Sequence, residues 1–164
     1  MTGTTPSGTG NEREAAAYVR GMFGGIAPRY DLLNHVLSFN LDKRWRRRTV
    51  GRVAELVPSP SARIVDLCCG TGDVLIEIEQ RRGAPAIGAD FCHPMLTVAA
   101  GKLARAGLRS TLIEADGLRL PFPTASVDAI TIAFGFRNFA NYRAGLEEML
   151  RVLKPGGVCA ILEF

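Results

Sequence analysis

Apolar positions recur at helical spacing through the first third of the chain, then gather into short β-forming runs. Glu12 to Phe23 reads as a helix with Ala15, Val19, Met22 and Phe23 on one side, ended by Gly24-Gly25. Pro28 opens a second helix with Tyr30, Leu33, Val36 and Leu37 as its stripe. Asp42 caps a third, which stops before Pro58 and buries Trp45, Val53, Leu56 and Val57. After the linker Pro58-Ser59-Pro60-Ser61 the pattern alternates. Strands are expected around Ile64 and over Pro85 to Asp90, Thr111 to Asp116, Val127 to Phe134 and Val158 to Phe164. Helices are expected from Asp73, from Pro94 to a stop at Gly107, and from an Asn141 cap to a stop at Pro155-Gly156-Gly157. Such alternation predicts an α/β fold, a doubly wound Rossmann-like parallel sheet behind a helical cap. The expected organisation is a disordered leader at 1–11, the cap at 12–57 and a ligand-binding α/β domain at 61–164.

The sharpest local signal is Ile64 to Asp73, IVDLCCGTGD. A buried strand runs into Gly70-Thr71-Gly72 and then a helix, the layout of a nucleotide-binding crossover. The glycines let the backbone turn and approach a ligand with no Cβ in the way. A dinucleotide site wants GxGxxG and a pyrophosphate on the helix N-terminus. Here Asp73 opens the helix, which would repel a pyrophosphate and suits a cationic amine or sulfonium. That favours S-adenosyl-L-methionine (SAM) over NAD, although Asp73 also reads as an ordinary helix-start residue. Asp66, Asp90 and Asp116 are each expected to finish a strand, and strand ends line the ligand edge of such a sheet. Asp90 follows Gly72 by eighteen residues, the offset at which an acid reaches both ribose hydroxyls. Asp116 is placed to accept from an adenine amine, with Phe91, Met95, Leu118 and Phe122 able to sandwich the base.

Charge adds one feature. The net charge is +4, and residues 1–60 hold nine Lys/Arg against five Asp/Glu while residues 61–164 hold eleven of each. Six of the ten residues from Lys43 to Arg52 are basic. This run reads as a nucleic-acid contact with Trp45 as a stacking platform, as a contact with anionic headgroups, or as a solvated helix face. No apolar run is long enough to span a bilayer, and the N-terminus lacks a signal-peptide layout. Four cysteines without a CxxC pair suggest buried fillers in a reducing compartment, and no metal site is expected.

Several blocks resemble one family: IAPRYDLLNHVLSFNLDKRWRR (26–47), VDLCCGTGD (65–73), ADFCHPML (89–96), ADGLRLPFP (115–123), TIAFGFRNF (131–139) and LRVLKPGG (150–157). Together they resemble the ubiquinone/menaquinone biosynthesis C-methyltransferases, within the class I SAM-dependent methyltransferases. The resemblance implies SAM as cofactor, with contacts at Thr71, Asp90, Asp116 and Gly117, to which the reading of the strand ends and glycine turn adds Asp66, Gly70, Gly72 and Phe91 as cofactor-binding candidates. It implies a prenylated quinol as methyl acceptor, demethylmenaquinol first, with the demethoxyubiquinol step, another small molecule, or a non-catalytic SAM-binding fragment as alternatives. It implies a phenolate that must be stabilised while a ring carbon takes the methyl group. Arg137 is the first candidate for that task, with Asn138 on the other quinol oxygen and Tyr30 relaying the proton. Asp31 could close over the ring, and His35 is a weaker candidate base. With a polyprenyl substrate, the Lys43–Arg52 helix becomes a membrane-surface contact, so a cytoplasmic protein peripheral at the inner face of the plasma membrane is expected. No nucleic-acid partner is expected, and a homodimer stays open. Many class I methyltransferases carry glycine where Cys68 stands, and alanine is frequent where Gly117 stands. The resemblance also implies a helix and an antiparallel strand pair after strand five. The chain is therefore expected to be C-terminally incomplete or to recruit a partner at that edge, and to be weakly stable and poorly active alone.

Overall fold

A computed structural model describes residues 3–27 and 41–163. Helices α1 (Glu12–Ile26) and α2 (Leu41–Leu56) precede an alternation of β1 (Ile64–Leu67), α3 (Asp73–Arg82), β2 (Ile87–Asp90), α4 (His93–Ala106), β3 (Thr111–Glu114), β4 (Val127–Ala133), α5 (Tyr142–Val152) and β5 (Leu153–Leu162). The strands form one parallel sheet in the order β3-β2-β1-β4-β5. The order reverses at β1, so the crevice over the carboxyl ends of β1 and β4 is the topological switch point where such sheets take ligands.

Strand alternation divides the core between the two faces. Val65, Leu67, Ile130 and Ile132 pack with Met149 and Val152 of α5 on one side. Ile64 and Ala129 pack with Val50 and Val53 of α2 and Val74, Leu75 and Ile78 of α3 on the other. Asp66 and Thr131 are register partners, and Asp66 alternates with Val65 and Leu67 toward the α2–α3 side. Local chemistry sets the helix ends. The Asn141 side chain accepts from the Ala144 N–H at 3.0 Å to start α5, and Gly107 at φ 66° closes α4.

Four expectations about elements are corrected. α1 runs through Gly24-Gly25 to Ile26. Phe23 and Ile26 pack with Cys92 and Met95 of the α4 N-terminus, which offsets the low helix propensity of the glycines. α2 already includes Leu41 and Asp42, so Asp42 sits in its first turn, paired with Arg46 at 3.5 Å. Its buried face is Val50 and Val53, while Trp45 and Leu56 are exposed. β5 starts at Leu153, directly after α5. It pairs as Val127↔Leu153 and then Ala129↔Val158, so Pro155-Gly156-Gly157 lie in a bulge rather than before the strand. Finally, β1 continues to Leu67 and β3 ends at Glu114, so Asp66 lies inside its strand and Asp116 beyond one; only Asp90 ends a strand.

The described part of the leader, from residue 3, lies against the loop after β4, where the Thr4 N–H donates to Phe139 O at 2.7 Å. Asn11 then caps α1, accepting from the Glu14 N–H at 2.9 Å.

Candidate active site

Three hollows meet over the carboxyl ends of the strands, and Cys68 lines all of them. One, of about 390 Å³, lies between Phe23 of α1, Phe91, Met95 and Phe134. A second, of about 460 Å³, is bounded by Asp90, Asp116, Gly117, Leu118 and Phe139. The third, of about 330 Å³, lies between Arg46, Asp66, Gly70, Thr71 and Asp73.

The backbone is bent hard at their junction. Cys68 has φ 54° and Phe134 φ 59°, both in the left-handed region that favours glycine. A glycine at the Cys68 position would adopt this conformation without strain. A Cβ added to Gly135 would collide with the Cys68 Cβ, so a side chain at one position excludes one at the other. Burial first, then the negative charges of Asp90 and Asp66, push the Cys68 thiol well above its usual range, so it is a small neutral wall rather than a nucleophile. Gly70, at φ 53°, would meet nothing within 4 Å through an added Cβ and leaves open space beside the loop.

The two strand aspartates differ. Asp90 is anchored: Oδ2 accepts from the Gly70 N–H at 2.8 Å and Oδ1 from the Cys92 N–H at 2.9 Å. Burial raises its pKa, with these hydrogen bonds working against the rise. Each oxygen keeps a further lone pair, enough to accept from a pair of hydroxyls. Asp66 is 1% exposed. Its Oδ1 accepts from the Thr131 hydroxyl at 2.7 Å, but Oδ2 is buried with no partner. Burial pushes its carboxyl up to about 7, with the Thr131 hydrogen bond and the Arg46 charge opposing.

The other expected residues fall as follows. Thr71 is buried and accepts from Lys102 Nζ at 3.4 Å. Gly72 precedes α3 at φ 85° and backs onto Ala99 of α4, so the turn and helix packing explain it without a ligand. Asp73, the first residue of α3, is already paired, with Arg46 at 2.5 Å and with Lys102. Phe91 lies under the Arg20 guanidinium, 5.3 Å from ring centroid to Cζ. The Asp116 side chain accepts from the Leu118 N–H at 2.9 Å, and Gly117 makes room for Phe139, which an added Cβ would approach to 2.5 Å. Asn138 lines two of the hollows. Arg137 is exposed outside them; its backbone N–H donates to Glu163 at 3.1 Å and its side chain lies 3.7 Å from the same carboxylate. Phe122 packs on the core rather than in the cleft. Tyr30, Asp31 and His35 lie outside the described residues. Sequence reasoning missed Ala16 and Phe23 of α1 and Phe134 and Gly135 as cleft residues; only the last two carried a signal, standing at the carboxyl end of a central strand.

The sequence profile of the ubiE/COQ5 methyltransferase family matches residues 10–164. The chain belongs to that family. It is 54% identical over 144 residues to a demethylmenaquinone methyltransferase of Thermus thermophilus, covering 87% of this chain and 64% of the relative. It is 43% identical over 155 residues to a ubiquinone/menaquinone biosynthesis C-methyltransferase of Geobacter sulfurreducens, covering 92% of this chain and 59% of that family member. The chain thus spans less than two thirds of the length of these two relatives. Among solved structures it is similar to a SAM-dependent methyltransferase from Aquifex aeolicus at 27% identity and a TM-score of 0.54, over 57% of this chain and 52% of that one. The cleft agrees with the donor that family membership points to. A buried acceptor with no partner, an anchored acid with spare lone pairs and an open approach at Gly70 fit a molecule carrying an amine, a ribose and an adenine.

Proposed function

We propose that the chain binds SAM in this cleft and that the protein methylates a ring carbon of a prenylated quinol, demethylmenaquinol before the ubiquinone precursor. The observation that carries the reading is the pair of aspartates flanking Gly70, one anchored and one with a free buried oxygen. Bound there, SAM would supply an electrophilic methyl group on a sulfonium. The residues of the chain do the rest. Asp90 accepts from the ribose hydroxyls and Thr71 contacts the donor at the start of α3. Asp116 and Gly117 meet the adenine, with Phe91 against the base. Phe23, Met95 and Phe134 exclude water from the hollow beside Cys68. Asn138 holds a quinol oxygen, and Arg137 exchanges its Glu163 partner for the developing phenolate. Tyr30 relays the ring proton.

The exposed basic face of α2 supports a position at the inner surface of the plasma membrane, where a prenylated substrate resides. Among the described residues no helix is long and apolar enough to cross a bilayer. The test has two parts. Calorimetric titration with SAM is expected to give heat and saturation, and titration with NAD none; a null SAM titration on folded protein ends the cofactor reading. Label from methyl-labelled SAM is expected to appear in menaquinol when demethylmenaquinol is supplied, and faster than with a demethoxyubiquinol. The reverse preference would move the protein to the ubiquinone branch.

A further inference from the structure

Away from the cleft, a groove of about 1010 Å³ lies between α2 and α3, lined by Arg47, Arg48, Gly51, Arg52, Glu55 and Arg81. None of these residues lines the three hollows over the strand ends. α2 packs Val50 and Val53 toward the sheet, so Arg47, Arg48 and Arg52 fall on its outer side. Gly51 admits a fourth guanidinium. A Cβ there would come within 3.1 Å of Arg81 Nη1, so the glycine lets Arg81 of α3 lie against α2. Glycine is otherwise a poor choice inside a helix. Arg81 and Arg47 share Glu77 at 3.3 and 3.8 Å, and Arg52 pairs with Glu55 at 2.9 Å. Four guanidiniums thus face two carboxylates, which leaves two positive charges uncompensated. Exposed ion pairs hold little energy, so an anion that binds several guanidiniums at once can displace the carboxylates. Arg48 and Arg52 stand one helical turn apart, about 6 Å along the axis, a spread that suits two phosphates joined by a short bridge.

The rest of α2 says which kind of phosphate. Leu41, Trp45 and Leu56 are its exposed large apolar side chains. Leu41, Trp45, Arg48, Arg52 and Leu56 follow one another at steps of three or four residues, so they share one flank of the helix. A nucleic-acid backbone gains nothing from exposed leucines, whereas a headgroup layer over acyl chains takes apolar and cationic side chains together. We infer that the α2–α3 groove seats the head of a phospholipid carrying two phosphodiesters. Arg47, Arg48, Arg52 and Arg81 donate to its phosphate oxygens, and Leu41, Trp45 and Leu56 lie at the acyl boundary. The inference rests on the membrane-surface reading and gives that contact a particular lipid. Arginine suits the task because its planar fork grips a phosphate at two points, where a lysine offers only a point charge.

Two kinds of phosphatidylcholine vesicle test this, matched in total negative charge. One carries cardiolipin, whose head is two phosphodiesters bridged by glycerol; the other carries phosphatidylglycerol, with one. Wild-type protein is expected to bind the cardiolipin vesicles roughly tenfold more tightly. Arg52→Lys/Arg81→Lys keeps both charges and removes both forks. It is expected to bring that ratio close to one, with phosphatidylglycerol affinity and SAM affinity unchanged. Equal affinity of the wild type for the two vesicles would overturn the seat and leave the membrane-surface reading standing. Absence of binding to either vesicle would overturn both. A full preference kept by the double variant would overturn the assignment to this groove. Tighter binding to an oligonucleotide than to either vesicle, lost in the same variant, would overturn it in favour of nucleic acid. The wild-type comparison holds even if the variant fails to fold.

Discussion

Asp66 is a carboxyl held without full compensation inside a sheet, and its titration should be visible in stability. In the unfolded chain it ionises near 3.8, whereas burial pushes the folded value up to about 7. The folded state therefore binds the proton more tightly, and its contribution to stability is present below pH 4 and is lost as pH rises through 7. Asp66→Asn removes the ionisable group while keeping an oxygen for Thr131. Unfolding free energies from urea titrations at pH 5 and pH 8 should differ by less in the variant than in the wild type, by about a few kcal/mol at most. Equal slopes would mean that Asp66 is solvated in solution. The same variant should weaken SAM binding, so stability and affinity should move in opposite directions, a trade expected at sites that hold a group ready for a ligand.

At the scale of elements, α3 does more than cover the sheet. Glu79, on its last turn, is 6% exposed. It accepts from the N–H groups of Arg109 and Ser110 at 2.8 and 2.7 Å and from the Ser110 hydroxyl at 2.6 Å. Burial alone would raise its pKa, but these hydrogen bonds outweigh it and hold the carboxyl below its usual range. The contact joins α3 to the turn between α4 and β3, and so positions the strand from which Asp116 follows. Glu79→Ala should strand those two backbone donors and cost about 2–4 kcal/mol in chemical denaturation, a loss at neutral pH that shrinks under acid. A cost within 0.5 kcal/mol, the range of ordinary surface substitutions, would show that water replaces the carboxylate. Glu79 also marks what sequence could reveal. The strand–glycine–helix unit, the Asn141 cap and the Gly107 stop were readable because each is decided by neighbours in sequence. Glu79 looked like one more acid on a helix, because its partners lie thirty residues away. Arg46 was hidden in the same way: six cations in ten residues look alike until Asp73, twenty-seven residues on, turns one of them inward. The extra turn of α1 through Gly24-Gly25 and the left-handed Cys68 likewise depend on contacts that propensity does not contain.

For the molecule as a whole, removing Arg46 from the basic run leaves a different surface from the one the sequence suggests. Arg47 and Arg81 share Glu77 at 3.8 and 3.3 Å, and Arg52 pairs with Glu55 at 2.9 Å. These exposed pairs hold little energy, but they lower the charge offered to solvent. Lys43, Arg44 and Arg48 are exposed on the same helix, and Trp45 beside them is 39% exposed. A cationic stretch with an aromatic at its edge is suited to an anionic lipid surface. If α2 meets the membrane, its inward face carries Arg46 to the hollow beside Asp66 and Gly70 and its outer face carries lipid contacts, so one helix joins the two. The affinity for phosphatidylglycerol-containing vesicles, read by co-sedimentation, should then fall roughly a hundredfold in a Lys43→Gln/Arg44→Gln/Arg48→Gln variant, about 1 kcal/mol for each charge removed. Binding should also weaken as salt rises from 50 to 300 mM, a range over which screening between exposed charges grows strongly. SAM affinity should stay unchanged, because none of the three lines the cleft. Unaltered sedimentation of the triple variant would return this face to ordinary solvent exposure, while loss of SAM affinity along with lipid binding would show that the substitutions had moved α2 itself.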